Sequence, residues 1–205
     1  MFITPLEGEN TDRIDALSDG LFAIVLTLLI LQFDIPNVQA SAELPSALLA
    51  QQPLLFSYLL SFAVVGLYWI VHHNLFEQIV RHDRVLLYLN LFFLLTVSFL
   101  PYPTELVGIY GTNFTWTLYA VNLGLVGLSL TVLWWYAVYR GFTTKRIDAR
   151  TARFITVRGL ITPAVFFLSI GVAAIDLTLA FITPLLIVPL QLLWVRYYHR
   201  GRSRQ

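Results

Sequence analysis

Arg13-Ile14-Asp15-Ala16-Leu17-Ser18-Asp19-Gly20-Leu21-Phe22-Ala23-Ile24-Val25-Leu26-Thr27-Leu28-Leu29-Ile30-Leu31 runs from charge into hydrocarbon without punctuation. Crossing a bilayer core of about 30 Å takes about 20 apolar residues of helix, and this stretch approaches that length. Its first turns carry an arginine and two carboxylates to the threshold of the core. Charges at that depth are costly unless other helices supply partners, so the stretch predicts a membrane helix with a polar site at its mouth.

The remainder of the chain agrees. Of 205 residues, 58% are hydrophobic and 12% charged, where water-soluble domains carry about 25% charged residues. Mean hydropathy is +0.73. Six stretches are long and greasy enough to span: Leu17–Phe33, Leu48–Val71, Val85–Tyr102, Phe114–Tyr139, Gly159–Ile175 and Leu177–Val195. The expected fold is all-α, a polytopic integral membrane protein with six transmembrane helices in one unit over residues 1–205.

Orientation follows from the basic residues, which accumulate in cytoplasmic loops. Arg13 precedes the first span, Arg81 and Arg84 link the second to the third, Arg140 to Arg158 link the fourth to the fifth, and Arg196 to Arg204 follow the sixth. Those connections hold all 13 basic residues, and the opposite ones hold only Asp34, Glu43, Glu105 and Asp176. The inner face therefore sums to +5 and the outer to −4. Both termini are expected in the cytoplasm and the chain in the cell membrane as a multi-pass protein.

Absence of cysteine excludes disulfides and thiolate metal sites. Glu7, Glu9 and Asp12 stand where a cleavable signal would be basic, and no small-x-small site follows, so the first segment is expected to be retained. Proline or glycine marks several connections, at Pro36, Pro45, Pro101, Pro103 and Gly141, and no soluble domain fits. The basic stretch Gly141–Arg153 and the Arg200–Arg204 tail read as anchors beside anionic lipid, not as a nucleic-acid site. No internal repeat is visible. Six spans with so few polar groups cannot enclose an aqueous path alone, so anything that crosses requires several copies.

Polar residues cluster in the first three spans. Asp12 and Asp15 look like an N-terminal capping arrangement that also suits the helix dipole, while Asp19 lies deeper and is expected in a buried network. With Ile24 as reference and about 100° per residue, Gly20, Thr27, Leu28, Leu31 and Ile35 fall within about 60° of it, and Ser18 and Asp19 point away. Alone, such an aliphatic stripe reads as helix packing eased by Gly20. Trp69, His72 and Phe76 share one face at the cytoplasmic end of the second span. His73, Asn74, Arg81, His82 and Asp83 follow, and Asn90 lies just inside the third span, all at the depth of Arg13, Ser18 and Asp19.

These residues carry a resemblance. The chain resembles the transmembrane protein 175 family of potassium channels, in its single-repeat bacterial and archaeal form. The family signature R-x-x-x-F-S-D reads here Arg13 to Asp19, and the likeness continues through W-x-x-H at Trp69 to His72, Asn90, and P-x-P at Pro101 to Pro103. It covers spans one to three; spans four to six match in length and greasiness. Leu17 stands where the family has phenylalanine, which keeps an apolar residue and removes an aromatic face.

The resemblance implies a homotetramer in the lipid bilayer around a central pore lined by a helix over about residues 13–35, conducting potassium ions. Carried onto this sequence, the narrowest rings are Ile24, Leu28 and Leu31, acting as gate and selectivity filter, with Thr27 tuning selectivity beside them. Arg13, Ser18, Asp19, Trp69, His72 and Asn90 form the structural polar network that positions the pore helix. No cofactor, resident metal or nucleic acid is implied.

Two other readings stay open on the residues alone. A metal-dependent membrane enzyme would use Asp19, His72, His73 and His82, although adjacent helical histidines point about 100° apart and chelate poorly together. A proton-coupled secondary transporter would use Asp19 and His72 as its relay.

Overall fold

The computed structural model describes residues 8–145 and 147–202, with side chains to residue 198, so the tail from Arg200 to Arg204 lies outside the described side chains. Helix α1 (Asp12–Leu28) tightens into a 3₁₀ turn at Leu29–Gln32, and Phe33 is extended. Its start corrects the capping expectation. Asn10 Oδ1 accepts the Asp12 amide at 2.7 Å, and the Asn10 side-chain amide donates to Asp12 Oδ2 at 2.9 Å. Asp12 and Asp15 sit inside the first turn, where the dipole favours acids.

A short exposed helix, α2 (Leu44–Ala50), precedes α3 (Gln52–Phe76). The second span thus begins at Gln52 instead of Leu48, because Pro53 has no amide hydrogen and fits only a first turn. Helix α4 (Arg84–Ser98) starts at Asp83, whose carboxylate accepts the Leu86 amide at 2.9 Å.

The third span overruns its expected end at Tyr102. Pro101 and Pro103 occupy the first turn of a continuing helix, α5 (Pro101–Tyr110), which stops at Gly111 in the left-handed region, φ 51°. Helix α6 (Asn113–Tyr139) follows at once, capped by reciprocal Thr112–Thr115 bonds. Helix α7 (Ala149–Ala173) begins ten residues before the expected Gly159, since Asp148 Oδ1 accepts the Thr151 amide at 2.7 Å and starts it there. Arg150, Arg153 and Arg158 are therefore helical. The last span is broken: α8 (Leu177–Ile182), a 3₁₀ turn with Pro184, then α9 (Ile187–Arg202).

Six of these helical runs are long and apolar enough to cross a membrane: Asp12–Gln32, Gln52–Phe76, Arg84–Tyr110, Asn113–Tyr139, Ala149–Ala173 and Leu177–Tyr198. The described residues hold no sheet, only isolated bridges. The chain is an all-helical, multi-pass membrane protein.

Helix α6 forms the centre, packed on α4, α5 and α7, with Trp116, Tyr119, Leu123, Leu133 and Trp134 almost wholly buried. Gly127 allows the close approach of α3 and α7: a Cβ there would lie 2.6 Å from the Tyr68 hydroxyl and 2.8 Å from Pro163. Helix α1 packs mainly on α3 and α4, and α9 on α7.

At one end, the segments that lead into α1, α4 and α7 are stitched together. Gly8 and His82 exchange backbone bonds of 3.0 Å, the Val80 amide donates to Phe142 O at 2.8 Å, and the Thr144 amide donates to Gln78 O at 2.8 Å. We refer to this as the basic end. Here Asp83 also accepts Tyr136 Oη at 2.7 Å and faces Arg140 Nε at 3.4 Å. Burial works against ionisation of Asp83, yet the bonds from Tyr136 and Leu86 and the Arg140 charge outweigh it and hold its pKa below the usual carboxylate value. At the other end the Gln51 amide donates to Asp34 O at 2.8 Å, and the Gln32 amide to Pro101 O at 3.0 Å.

Candidate functional site on α1 and its partners

Helix α1 has two unlike faces. Ile14, Ser18, Phe22 and Val25, with Leu29 beyond them, recur at three to four residues and are buried against α3 and α4. On the opposite side Leu17 is 54% exposed, Ile24 60%, Leu28 42% and Leu31 72%, with Gly20 and Thr27 also open. The Thr27 hydroxyl donates to the carbonyls of Ala23 and Ile24 at 3.0 and 2.8 Å, which leaves its oxygen lone pairs turned outward.

Beneath that stripe, at the basic end, the buried face carries a directed chain of hydrogen bonds. Ser18 Oγ donates to Ile14 O at 2.8 Å; Asn90 Nδ2 donates to Ser18 Oγ at 3.2 Å; His72 Nε2 lies 3.0 Å from Asn90 Oδ1. Since the Ser18 proton is committed to Ile14, Asn90 must turn its NH₂ to Ser18 and its oxygen to His72. That oxygen can only accept, so His72 carries its proton on Nε2. The ring is 0% exposed, clamped between Phe76 at 4.3 Å and Phe93 at 5.3 Å. One residue from α1, one from α3 and one from α4 thus fix each other's orientation.

Asp19 belongs to a second branch. It is half-buried and accepts the Trp69 indole N–H at 2.8 Å, and it does not join the Ser18–Asn90–His72 chain. Trp69 stacks on His73 with centroids 6.1 Å apart. Arg13 is exposed and has no hydrogen-bond or ion-pair partner among the described residues. It lies on the open side of α1, below Leu17.

Asp15 is the residue that sequence reasoning missed. Its two oxygens lie 3.9 Å from His72 Nδ1 and 3.9 Å from His73 Nδ1, and His73 Nε2 is 3.6 Å from Glu77. Asp15 Oδ1 and both Nδ1 atoms are buried without a hydrogen bond. Read as a capping residue, Asp15 was separated from Ser18 and Asp19, although spacings of three and four put all three near one another. One ligand atom each from Asp15, Asp19 and His73 lie within 4.8 Å of one another, so this group can share a proton or a small cation. His82 is instead tied to Gly8, so the four-member set of a metal-dependent enzyme is not assembled within the described residues.

Comparison with known proteins adds three likenesses and a family match. The family model described as endosomal/lysosomal potassium channel TMEM175 matches residues 13–101. A protein of Streptomyces collinus named a potassium channel is 35% identical over 179 residues, 83% of this chain and 87% of that one. The human endosomal/lysosomal proton channel TMEM175 is 41% identical over 103 residues, 46% of this chain but only 20% of its own length. Among solved structures, a lysosomal potassium-selective channel TMEM175 homologue from Chamaesiphon minutus superposes with a TM-score of 0.77 at 26% identity, covering 92% of this chain and 97% of that one.

Proposed function

Since the chain belongs to the TMEM175 family of potassium channels, we propose that four copies meet along the open face of α1 in the cell membrane and leave a central potassium path between them. The whole of residues 1–205 then acts as one protomer, with a pore helix over about residues 13–35 and both termini in the cytoplasm. It is a channel and not an enzyme.

One observation carries this reading: the stripe of Leu17, Ile24, Leu28 and Leu31 stays exposed while the other side of the same helix is sealed. Four such stripes around an axis make rings of aliphatic side chains at Ile24, Leu28 and Leu31. A narrow aliphatic ring dewets, so the closed state is a barrier to ions without any moving plug. Once it is widened and wet, it offers no oxygen to replace lost hydration. The ion that sheds water at lower cost crosses faster, which favours potassium over sodium. Thr27 adds an outward hydroxyl oxygen beside the ring and sharpens that preference.

The polar network sets the angle of this helix. Ser18, Asn90 and His72 lock α1 to α3 and α4 on the buried side, and the Asp19–Trp69 bond does so at the rim. Arg13, on the open side, faces the axis at the basic mouth, where neighbouring copies supply its surroundings.

A second permeant, the proton, is favoured by the Asp15–His72–His73 group, whose orphaned ring nitrogens and carboxylate form a proton-accepting site. Channel and proton-coupled transporter are separated by purified protein in planar bilayers with a potassium–sodium gradient. Unitary currents reversing toward the potassium equilibrium potential are expected. Flux without unitary steps, driven only by a pH gradient, would replace the channel reading with the transporter.

A further inference from the structure

Helices α7 and α9, which are not among the main packing partners of α1, line a groove of about 590 Å³ with Ile161, Val165, Leu168, Leu190, Leu193 and Trp194. About one helical turn before Ile161 on α7 stands a charge that the channel reading does not use. Arg158 Nε donates to Gln191 Oε1 at 2.6 Å, and the Gln191 amide returns to Arg158 O at 3.4 Å. This partner is neutral. It holds the guanidinium through Nε, leaves the full positive charge, and leaves the two terminal amines as further donors on an exposed residue.

Depth makes this unusual. From Arg158 to Ala173 the helix rises about 22 Å at about 1.5 Å per residue. If Ala173 marks one edge of a hydrocarbon layer of about 30 Å, Arg158 is anchored about 8 Å inside the other. An arginine there survives by snorkelling toward the headgroups. Aromatic residues mark that interface: Trp194 Nε1 donates to Phe154 O at 3.1 Å, and Thr151 and Tyr198 share a hydroxyl bond of 3.1 Å.

We infer that this groove binds an anionic phospholipid of the leaflet at the basic end, its phosphate on the terminal amines of Arg158 and an acyl chain along the apolar lining. Charge complementarity selects that occupant. No acid occurs between Asp148 and Asp176 or after Asp176, whereas Arg153 and Arg196 lie exposed on the same two helices. Of the other acids at this end, Asp15 and Glu77 face histidines, Asp19 accepts from Trp69, Asp83 accepts from Tyr136 and Asp148 accepts from Thr151, while Glu9 and Asp12 lie exposed at the start of α1, away from α7 and α9 in sequence. A second copy meeting this face through its own α7 and α9 has no carboxylate on those helices to offer Arg158, while a bilayer offers phosphate at the right depth.

The test reads lipid binding, so it does not depend on channel activity. Full-length protein in neutral detergent is incubated with dioleoyl phosphatidylglycerol, dioleoyl phosphatidylcholine or glycerol 3-phosphate, and binding is followed by native mass spectrometry and thermal shift. Phosphatidylglycerol is expected to be retained over phosphatidylcholine by roughly fivefold or more, the factor that one basic residue near an anionic surface carries. Glycerol 3-phosphate should give no shift. Arg158→Gln and Gln191→Glu should both bring the ratio to one. Gln191→Glu separates the proposal from a structural role, because it strengthens the α7–α9 pairing while cancelling the charge. An equal affinity for the two lipids in the unmodified protein would overturn the proposal. So would a preference surviving both substitutions, a full effect from glycerol 3-phosphate, or cross-linking of two copies through this face.

Discussion

The two halves of the chain solve different problems. From α1 to α5 buried polar side chains are paired across helices, and one helix leaves a greasy stripe open. From α6 to α9 the large buried side chains are mostly aromatic and pack on one another and over glycine, as with Trp116 against Phe181 at 4.6 Å and Gly127 beneath Tyr68 and Pro163, and the buried polar groups Tyr119 and Asn122 of α6 reach back to Ser61 and Thr96 in the first half. The matched family region, residues 13–101, falls wholly in the first half. Hydrogen bonds specify orientation, and aromatic packing specifies only that the space is filled. A helix that must sit at a fixed angle therefore calls for the former, and a scaffold can be built from the latter.

Substitutions break the comparison apart in order of size. Trp116→Ala removes a fully buried indole and should cost about 3–5 kcal/mol, read as a lower melting temperature in detergent. Whatever protein remains folded should keep its potassium to sodium permeability ratio. The Trp116 ring nitrogen has no hydrogen-bond partner among the described residues, so the loss is one of packing alone.

Asn90→Ala should cost about 2–3 kcal/mol by leaving the buried His72 donor unpaired. Unlike the tryptophan change, it should also alter gating, because α1 loses its register on α4. Equal gating in both variants would erase the distinction between the halves.

Thr27→Ala should leave stability within about 0.5 kcal/mol. The permeability ratio should fall roughly two- to tenfold, the factor for one contact of about 0.5–1.5 kcal/mol. An unchanged ratio would remove Thr27 from the selectivity account and leave the aliphatic rings alone.

Asp83→Asn gives the smallest effect, and it links the halves through Tyr136. The Asp83 pKa is lowered in the folded protein. Its stabilisation is therefore present above the unfolded value of about 3.9 and is lost as pH falls through the folded one. The melting temperature of the variant should respond less to acidification from about pH 5 downward than that of the unmodified chain.

Much of this was legible from spacing. Hydropathy and the basic residues placed six spans, and a helical wheel separated Ile24, Leu28 and Leu31 from Ser18. Ser18, His72 and Asn90 were readable because polar groups at one membrane depth must find each other. Helix breaks were less legible. A proline stops a helix or starts one, and only the neighbouring backbone shows that Pro101 and Pro103 start α5. Asp15 was hidden because an acid in a first turn already has a sufficient explanation in the dipole. Arg158 was hidden as well, since six basic residues in sequence look like one loop until Asp148 is seen to cap a helix ahead of three of them.

The absence of native cysteine allows the central claim to be probed one thiol at a time. Ile24→Cys, Leu28→Cys and Leu31→Cys are recorded in bilayers before and after a positively charged methanethiosulfonate, with Leu168→Cys on α7 as the outer control. The account requires the reagent to abolish current through the three α1 variants and leave the Leu168 variant untouched. Reagent bound at Ile24, Leu28 and Leu31 with undiminished potassium current would show that the stripe lines no pore.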